Sequence, residues 1–286
     1  MQYILLLAII VCITLQTVGQ KHYNIKTSDR GIFAYGSLTA LGAALVFLIS
    51  SGFDLHFSPE ILPYSIAFGI SYGVSMVFIV LAFRHGPVAL TNLINDYSLI
   101  IPTFYGIIFL GDVPSIYFWA GLALLMISLF FVNFRKKGED PVSLRWIIFA
   151  AFTFVGNGMC STVQTVFVKS LGEDLKNEFM ILALGIFFAI MTVLSLIFER
   201  DVHKEVLRRG SVYAFGSGVF NGGLNLLVIL LVASGLINVS VMFPIISAGG
   251  MIAAFLLSML VYKEKMTSLQ KVGFFIGVGA VILLNL

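Results

Sequence analysis

Cys12-Ile13-Thr14-Leu15-Gln16-Thr17-Val18 returns as Cys160-Ser161-Thr162-Val163-Gln164-Thr165-Val166, identical at five of seven positions and 148 residues further on. Two weaker echoes keep the same order. Gly69 and Gly73 fall on Gly218 and Gly222, and Gly111-Asp112-Val113-Pro114-Ser115 with Gly121 falls on Lys263-Glu264-Lys265-Met266-Thr267 with Gly273. One match between apolar helices arises by chance; three in the same order divide the chain into halves, 1–143 and 144–286.

Working outward, each half reads as apolar runs. A helix crossing a bilayer needs roughly 20 predominantly apolar residues. Ten runs meet that need: 2–20, 31–52, 61–83, 87–110, 114–134, 145–168, 178–198, 210–234, 237–261 and 267–286. They are separated by Asp29-Arg30-Gly31, Ser58-Pro59-Glu60, His85-Gly86-Pro87, Gly111-Asp112-Val113-Pro114 and Arg135-Lys136-Lys137-Gly138. The uncharged stretch 210–262 is too long for one span, and Gly235-Leu236-Ile237-Asn238 is its expected break. The expected fold is therefore an all-α integral membrane protein of ten transmembrane helices. Five spans per half is an odd number, so the second half enters the membrane in the opposite sense. Such inverted repeats are a common plan of secondary transporters.

Composition agrees. The chain is 59% hydrophobic and 11% charged, less than half the charge of a soluble domain, which is about 25%. That excludes a disordered chain, and a net charge of +3 is no nucleic-acid footprint. The chain opens Met1-Gln2-Tyr3, without a basic leader region or a small-residue cleavage site, so the first run is expected to be a retained helix. Of seventeen Lys and Arg, fifteen follow odd-numbered spans; Lys169 and Lys176 are the exceptions. The positive-inside rule then puts the odd loops in the cytoplasm and both termini outside.

Several short segments resemble the drug/metabolite transporter superfamily in its EamA-type branch. They are Gly86-Pro87-Val88-Ala89-Leu90, Phe109-Leu110-Gly111-Asp112, and Val261-Tyr262-Lys263-Glu264-Lys265-Met266-Thr267-Ser268-Leu269-Gln270 with Gly273. The chain departs from the family pattern at Asp112, where Glu is common, and at Lys263, where Gly is. The resemblance covers essentially the whole chain. It implies a central cavity lined by spans 1, 3, 4, 6, 8 and 9, with spans 5 and 10 outside it. Substrates across such a family include amino acids, other metabolites, nucleotide sugars, triose phosphates and choline.

Asp96 is the one ionisable residue deep in a span. A carboxylate there costs roughly 2.5–3.5 kcal/mol, and such residues usually face a cavity or pathway. Asn92, Asn95, Asp96, Leu99 and Thr103 repeat at helical spacing, and Pro102 can free a carbonyl or bend the same span. Three roles are open for Asp96: counter-ion for an amine, proton carrier, or acceptor for a neutral solute. Fixing the packing is the structural alternative. Gln16 and Gln164 are the repeat-related amides; Asn157, Ser161 and Gln164 share a face, as do Ser217, Asn221 and Asn225, and Gly69, Tyr72 and Met76. Each stripe reads as interhelical glue or as cavity lining. Their coincidence with the spans that the resemblance puts around the cavity favours lining. Tyr97, Tyr105 and Tyr35 are candidate aromatic walls, while Trp119 and Trp146, near helix ends, read as interfacial belt residues. Gly273 and Gly277 permit close helix approach, either within the chain or in a dimer.

The expected substrate-binding set is thus Asp96, Asn92, Asn95, Gln16, Gln164, Asn157, Asn221, Asn225, Tyr72 and Tyr97. No mid-span Lys or Arg is available for phosphate. The two cysteines and His22, His56, His85 and His203 have no metal-ligand spacing, and no phosphate loop exists. The expectation is a secondary active transporter of a small polar organic solute, with export of an amino acid or related metabolite as the default. A carrier taking up a cationic or nucleoside-like solute is the alternative. No cofactor, metal, catalytic residue or nucleic-acid partner is expected; the partners are a small-molecule substrate, the lipid bilayer and a proton as candidate coupling ion, in a monomer or homodimer. An intramembrane enzyme or channel is the competing class.

Overall fold

The computed structural model describes residues 2–28, 30–133, 143–261, 263 and 267–284. Asp29, the Arg135-Lys136-Lys137-Gly138 turn, and Tyr262, Glu264, Lys265 and Met266 of the second-half motif lie outside the described residues. Among the described residues the chain is helical and has no strand. In order it forms α1 (Gln2–Thr27), α2 (Ile32–Ser50), α3 (Leu62–His85), α4 (Val88–Tyr97), α5 (Ile100–Phe109), α6 (Ile116–Asn133), α7 (Leu144–Leu171), α8 (Lys176–Phe198), α9 (His203–Ser234), α10 (Val239–Leu260) and α11 (Ser268–Leu284). Seven helices are long and apolar enough to cross a membrane: α1, α2, α3 with the short turn before it, α7, α8, α9 and α10. The architecture is that of a membrane protein. The apolar parts of α6 and α11 are shorter, Ile116–Val132 and Ser268–Leu284.

The fourth expected span, 87–110, is two ten-residue helices rather than one. Pro102 explains the position of the interruption. Its nitrogen carries no hydrogen, so it cannot donate to the Ser98 carbonyl, which its ring also crowds. The Ile101 N–H takes that carbonyl instead, from three residues away at 3.0 Å. Ser98 and Leu99 stay right-handed but tightened, with ψ −23° and −8°. Pro244, by contrast, lies inside α10 without ending it.

Two boundaries move outward. α9 begins at His203, before the expected 210, and takes in a charged flank in which Glu205 and Arg209, one turn apart, pair at 3.0 Å. α1 likewise runs to Thr27, past the expected residue 20. The break expected at 235–238 does separate α9 from α10, with Gly235 in the left-handed conformation.

The chain forms two compact units, each drawing on both sequence halves: unit 1 is Met1–Gly73 with Val163–Ser234, unit 2 is Val74–Thr162 with Gly235–Leu286. In unit 1, α9 packs on α1 and α2, and α2 on α8. The α2–α9 contact is made backbone to backbone. A Cβ on Gly218 would lie 2.8 Å from the Thr39 Cα, and one on Gly222 as near to the Ala43 Cα. Gly69 on α3 meets α8 in the same way, 2.7 Å from the Ala183 carbonyl oxygen. Without a hydrophobic force between helices in lipid, close packing of small residues is what joins them. Glu199 closes one end of the unit. Its two carboxylate oxygens accept the Phe33 and Ala34 N–H groups at 2.9 Å each, satisfying donors that the start of α2 leaves open.

In unit 2, α6 packs on α11, and α10 on α5 and α11. Gly273 and Gly277 are buried against α6 and its neighbours, and the Ser128 hydroxyl donates to the Gly273 carbonyl at 2.6 Å. This small-residue stripe therefore serves packing within the chain. Asp112 accepts the Ser240 N–H at 2.9 Å and caps α10, which explains a carboxylate in that loop. Gly111 and Lys263, aligned by the sequence echo, both have positive φ, +73° and +53°.

Candidate functional site

The polar residues gather in two places, one in each unit. In unit 1, α9 holds Ser217, Asn221 and Asn225 one turn apart on a single face. The Gln164 Nε2 donates to the Asn225 Oδ1 at 2.7 Å. The Asn225 Nδ2 donates to the Asn221 carbonyl at 2.8 Å and to its Oδ1 at 3.1 Å. The Asn221 Nδ2 reaches the Gln16 Oε1 at 3.4 Å, and the Ser217 hydroxyl donates to the Gln16 carbonyl at 3.2 Å. The two repeat-related glutamines thus terminate one amide relay that links α7, α9 and α1. Gln164 is 3% exposed and Asn221 7%, whereas Gln16 and Asn225 are half-buried. Tyr72 stacks on Phe187 with ring centroids 4.1 Å apart.

In unit 2 the interrupted helix is held by Asn157 of α7. Its Nδ2 donates to the Ser98 hydroxyl at 2.6 Å and to the Asn95 carbonyl at 3.4 Å. The Ser98 hydroxyl itself donates to that same carbonyl at 2.5 Å. Asn157 therefore supplies donors where the interruption disturbs the helix ladder. Gly158 lets α7 come this close: a Cβ there would lie 2.6 Å from the Ser98 carbonyl oxygen. Ser98 escaped the sequence reading, and its signal was its place four residues before Pro102.

Asp96 is half-buried beside this interruption. With Tyr97, Leu99, Ile100 and Thr103 it lines a crevice against Leu122, Leu125, Met126 and Leu129 of α6 and Pro244 and Ser247 of α10. The cavity volume is ≈ 10 Å³, about what one water needs. The Tyr97 hydroxyl donates to the Met126 carbonyl at 2.5 Å.

Three sequence expectations change. The stripe from Asn92 to Thr103 is not one continuous helical face, because Ser98 and Leu99 interrupt it, and Asn92 is exposed. The side chain of Asn95 has no part in the clasp, which uses its carbonyl. Trp146 is not a belt residue: it is 5% exposed and its indole N–H donates to the Thr91 hydroxyl at 2.8 Å. Trp119, 42% exposed, keeps the exposure that a belt residue needs. Among the described residues no group of three or more His, Cys, Asp or Glu is placed to hold a metal ion.

No family model matches the sequence, and no curated protein matches it. A crystal structure of a protein 14% identical to this chain covers 99% of it and 95% of its own length, with a TM-score of 0.76. At that identity the likeness shows the fold alone: this helical arrangement, end to end, is one that another solved chain adopts.

Proposed function

We propose that the protein is a secondary active transporter of a small polar organic solute, built as ten spans in two inverted five-span halves of the EamA type and working by alternating access in the cytoplasmic membrane. The observation that carries the reading is the interrupted α4–α5 pair with Asp96 beside the interruption. Discontinuous helices at membrane depth are tolerated where they serve a site, and an ionisable residue there marks a pathway.

The inverted repeat has support inside unit 1. The glycines of α3 meet α8 and the matching glycines of α9 meet α2, which is the exchange that swapping the two halves requires. The shared positive φ of Gly111 and Lys263 supports the same correspondence in unit 2. The basic loops favour both termini outside. The amide relay offers alternating donors and acceptors, which suits an amino acid or related metabolite, with export the default direction. Counterflow in proteoliposomes tests the proposal, using labelled alanine, lysine, choline and uridine as probes. Expected is saturable counterflow of one class, weakened by Asn225→Ala. Passage without counterflow marks a pore, and no passage of any probe removes this solute class.

A further inference from the structure

We infer that the amide relay of unit 1 runs in one direction only, and that its open end, the Gln16 amide nitrogen, receives a carboxylate oxygen of the solute. The direction rests on the hydrogen bonds alone; the solute rests on the carrier reading above. One main-chain group fixes the direction. The Asn221 carbonyl can only accept, so the group that meets it at 2.8 Å is the Asn225 Nδ2. The same nitrogen donates to the Asn221 Oδ1, which turns the Asn221 Nδ2 toward the Gln16 Oε1. On the other side the Asn225 Oδ1 is left to accept, so Gln164 donates. An amide turned the other way sets oxygen against oxygen or nitrogen against nitrogen. The relay therefore starts on a Gln164 nitrogen and ends on a Gln16 oxygen.

The groups left over at the two ends differ. Gln16 commits its Oε1 to Asn221 and its carbonyl to Ser217, and among the described residues no acceptor is placed on its Nε2. At the other end the group left over is an acceptor, the Gln164 Oε1. That side chain is 3% exposed, however, and its nitrogen also lies 3.7 Å from the Met180 sulfur. Gln16 is half-buried and stands midway along α1. A Cβ on Gly223 would lie 3.4 Å from the Cys12 sulfur, so the face of α1 that carries Cys12 and Gln16 lies toward α9. An unpaired N–H at that depth costs several kcal/mol in hydrocarbon, so the amide opens onto water or solute. An NH2 group donates and selects an acceptor on the solute. A carboxylate makes the strongest such bond, because its charge assists. An ammonium, which only donates, meets no lone pair on that nitrogen.

The test is nuclear magnetic resonance of the full-length protein in lipid nanodiscs, isotope-labelled at the amide carbon and nitrogen of its five glutamines. Gln16→Met and Gln164→Met assign the two signals of interest. For the direction, Asn221→Ala is expected to move Gln16 chiefly at its amide carbon, and Asn225→Ala to move Gln164 chiefly at its nitrogen. The opposite pattern overturns the direction. For the solute, the probes are propionate, alanine, lysine and glutamate, with ethylamine as the probe that lacks a carboxylate. Expected is a saturable shift of the Gln16 nitrogen with at least one carboxylate and none with ethylamine. Gln16→Glu keeps an oxygen for Asn221 and removes both donors, so calorimetry is expected to show that carboxylate binding at least about tenfold more weakly. A Gln16 nitrogen that no carboxylate moves, an equal shift with ethylamine, or undiminished binding by Gln16→Glu overturns the assignment. Counterflow reads the carrier separately: counterflow with an unmoved Gln16 nitrogen removes this site and keeps the carrier, while a moved nitrogen without counterflow does the reverse.

Discussion

Unit 1 pairs the amides of its relay with one another along uninterrupted helices, whereas unit 2 interrupts a helix and repairs it from a neighbour. Both meet the same demand, since an unsatisfied polar group in a dry interior costs several kcal/mol. The relay of Gln164, Asn225, Asn221 and Gln16 answers with side chain to side chain. The α4–α5 interruption answers with side chain to backbone, through Asn157 and Ser98. The first arrangement is mutual, so its members depend on each other. The second is one-sided, so its loss leaves the rest of unit 2 intact.

Gln164→Leu is the sharpest way to break this contrast. It leaves the Asn225 Oδ1 without its donor and is expected to cost about 1–3 kcal/mol. Adding Asn225→Leu restores part of that, so a double-mutant cycle on thermal stability gives a coupling above about 0.5 kcal/mol. Additive losses mean the amides are not a relay. Asn157→Ala comes next. Losing its 2.6 Å bond to the Ser98 hydroxyl costs about 0.5–1.5 kcal/mol, the 3.4 Å bond adding little, and hydrogen exchange is expected to rise at residues 98–103 without rising in α9. Exchange that rises in both units erases the distinction. Lys263→Gly is the smallest and has the opposite sign. A lysine at φ +53° is strained by about 1–2 kcal/mol, partly offset by the freedom glycine has when unfolded, so a rise in melting temperature worth under about 1 kcal/mol is expected. A fall shows that the lysine side chain holds the turn.

Much of this was legible in the sequence. The apolar runs located the helices, because length and hydropathy alone decide what fits a bilayer. Helical spacing grouped Ser217, Asn221 and Asn225, and the repeat tied Gln16 to Gln164. Pro102 announced that the fourth span is disturbed, yet the sequence could not say that Asn157, 62 residues past Asn95, repairs it. The same limit hid Trp146: nearness to a helix end is a local property, whereas its bond to Thr91 joins residues 55 apart. The size of the crevice at Asp96 was likewise invisible, since it depends on side chains from four helices.

The clasp across α4 and α5 also sets an order of assembly. Each half-helix is ten residues long, about 15 Å, half the thickness of the hydrocarbon core. Neither is long enough to cross alone, so if residues 88–109 form one span of the proposed carrier they enter lipid together. The Asn157 amide that closes on Ser98 is encoded 59 residues later. A nascent chain stalled before α7 therefore holds an unclasped α4–α5 pair, and the ribosome must finish the sixth apolar run before the fourth can reach its final form.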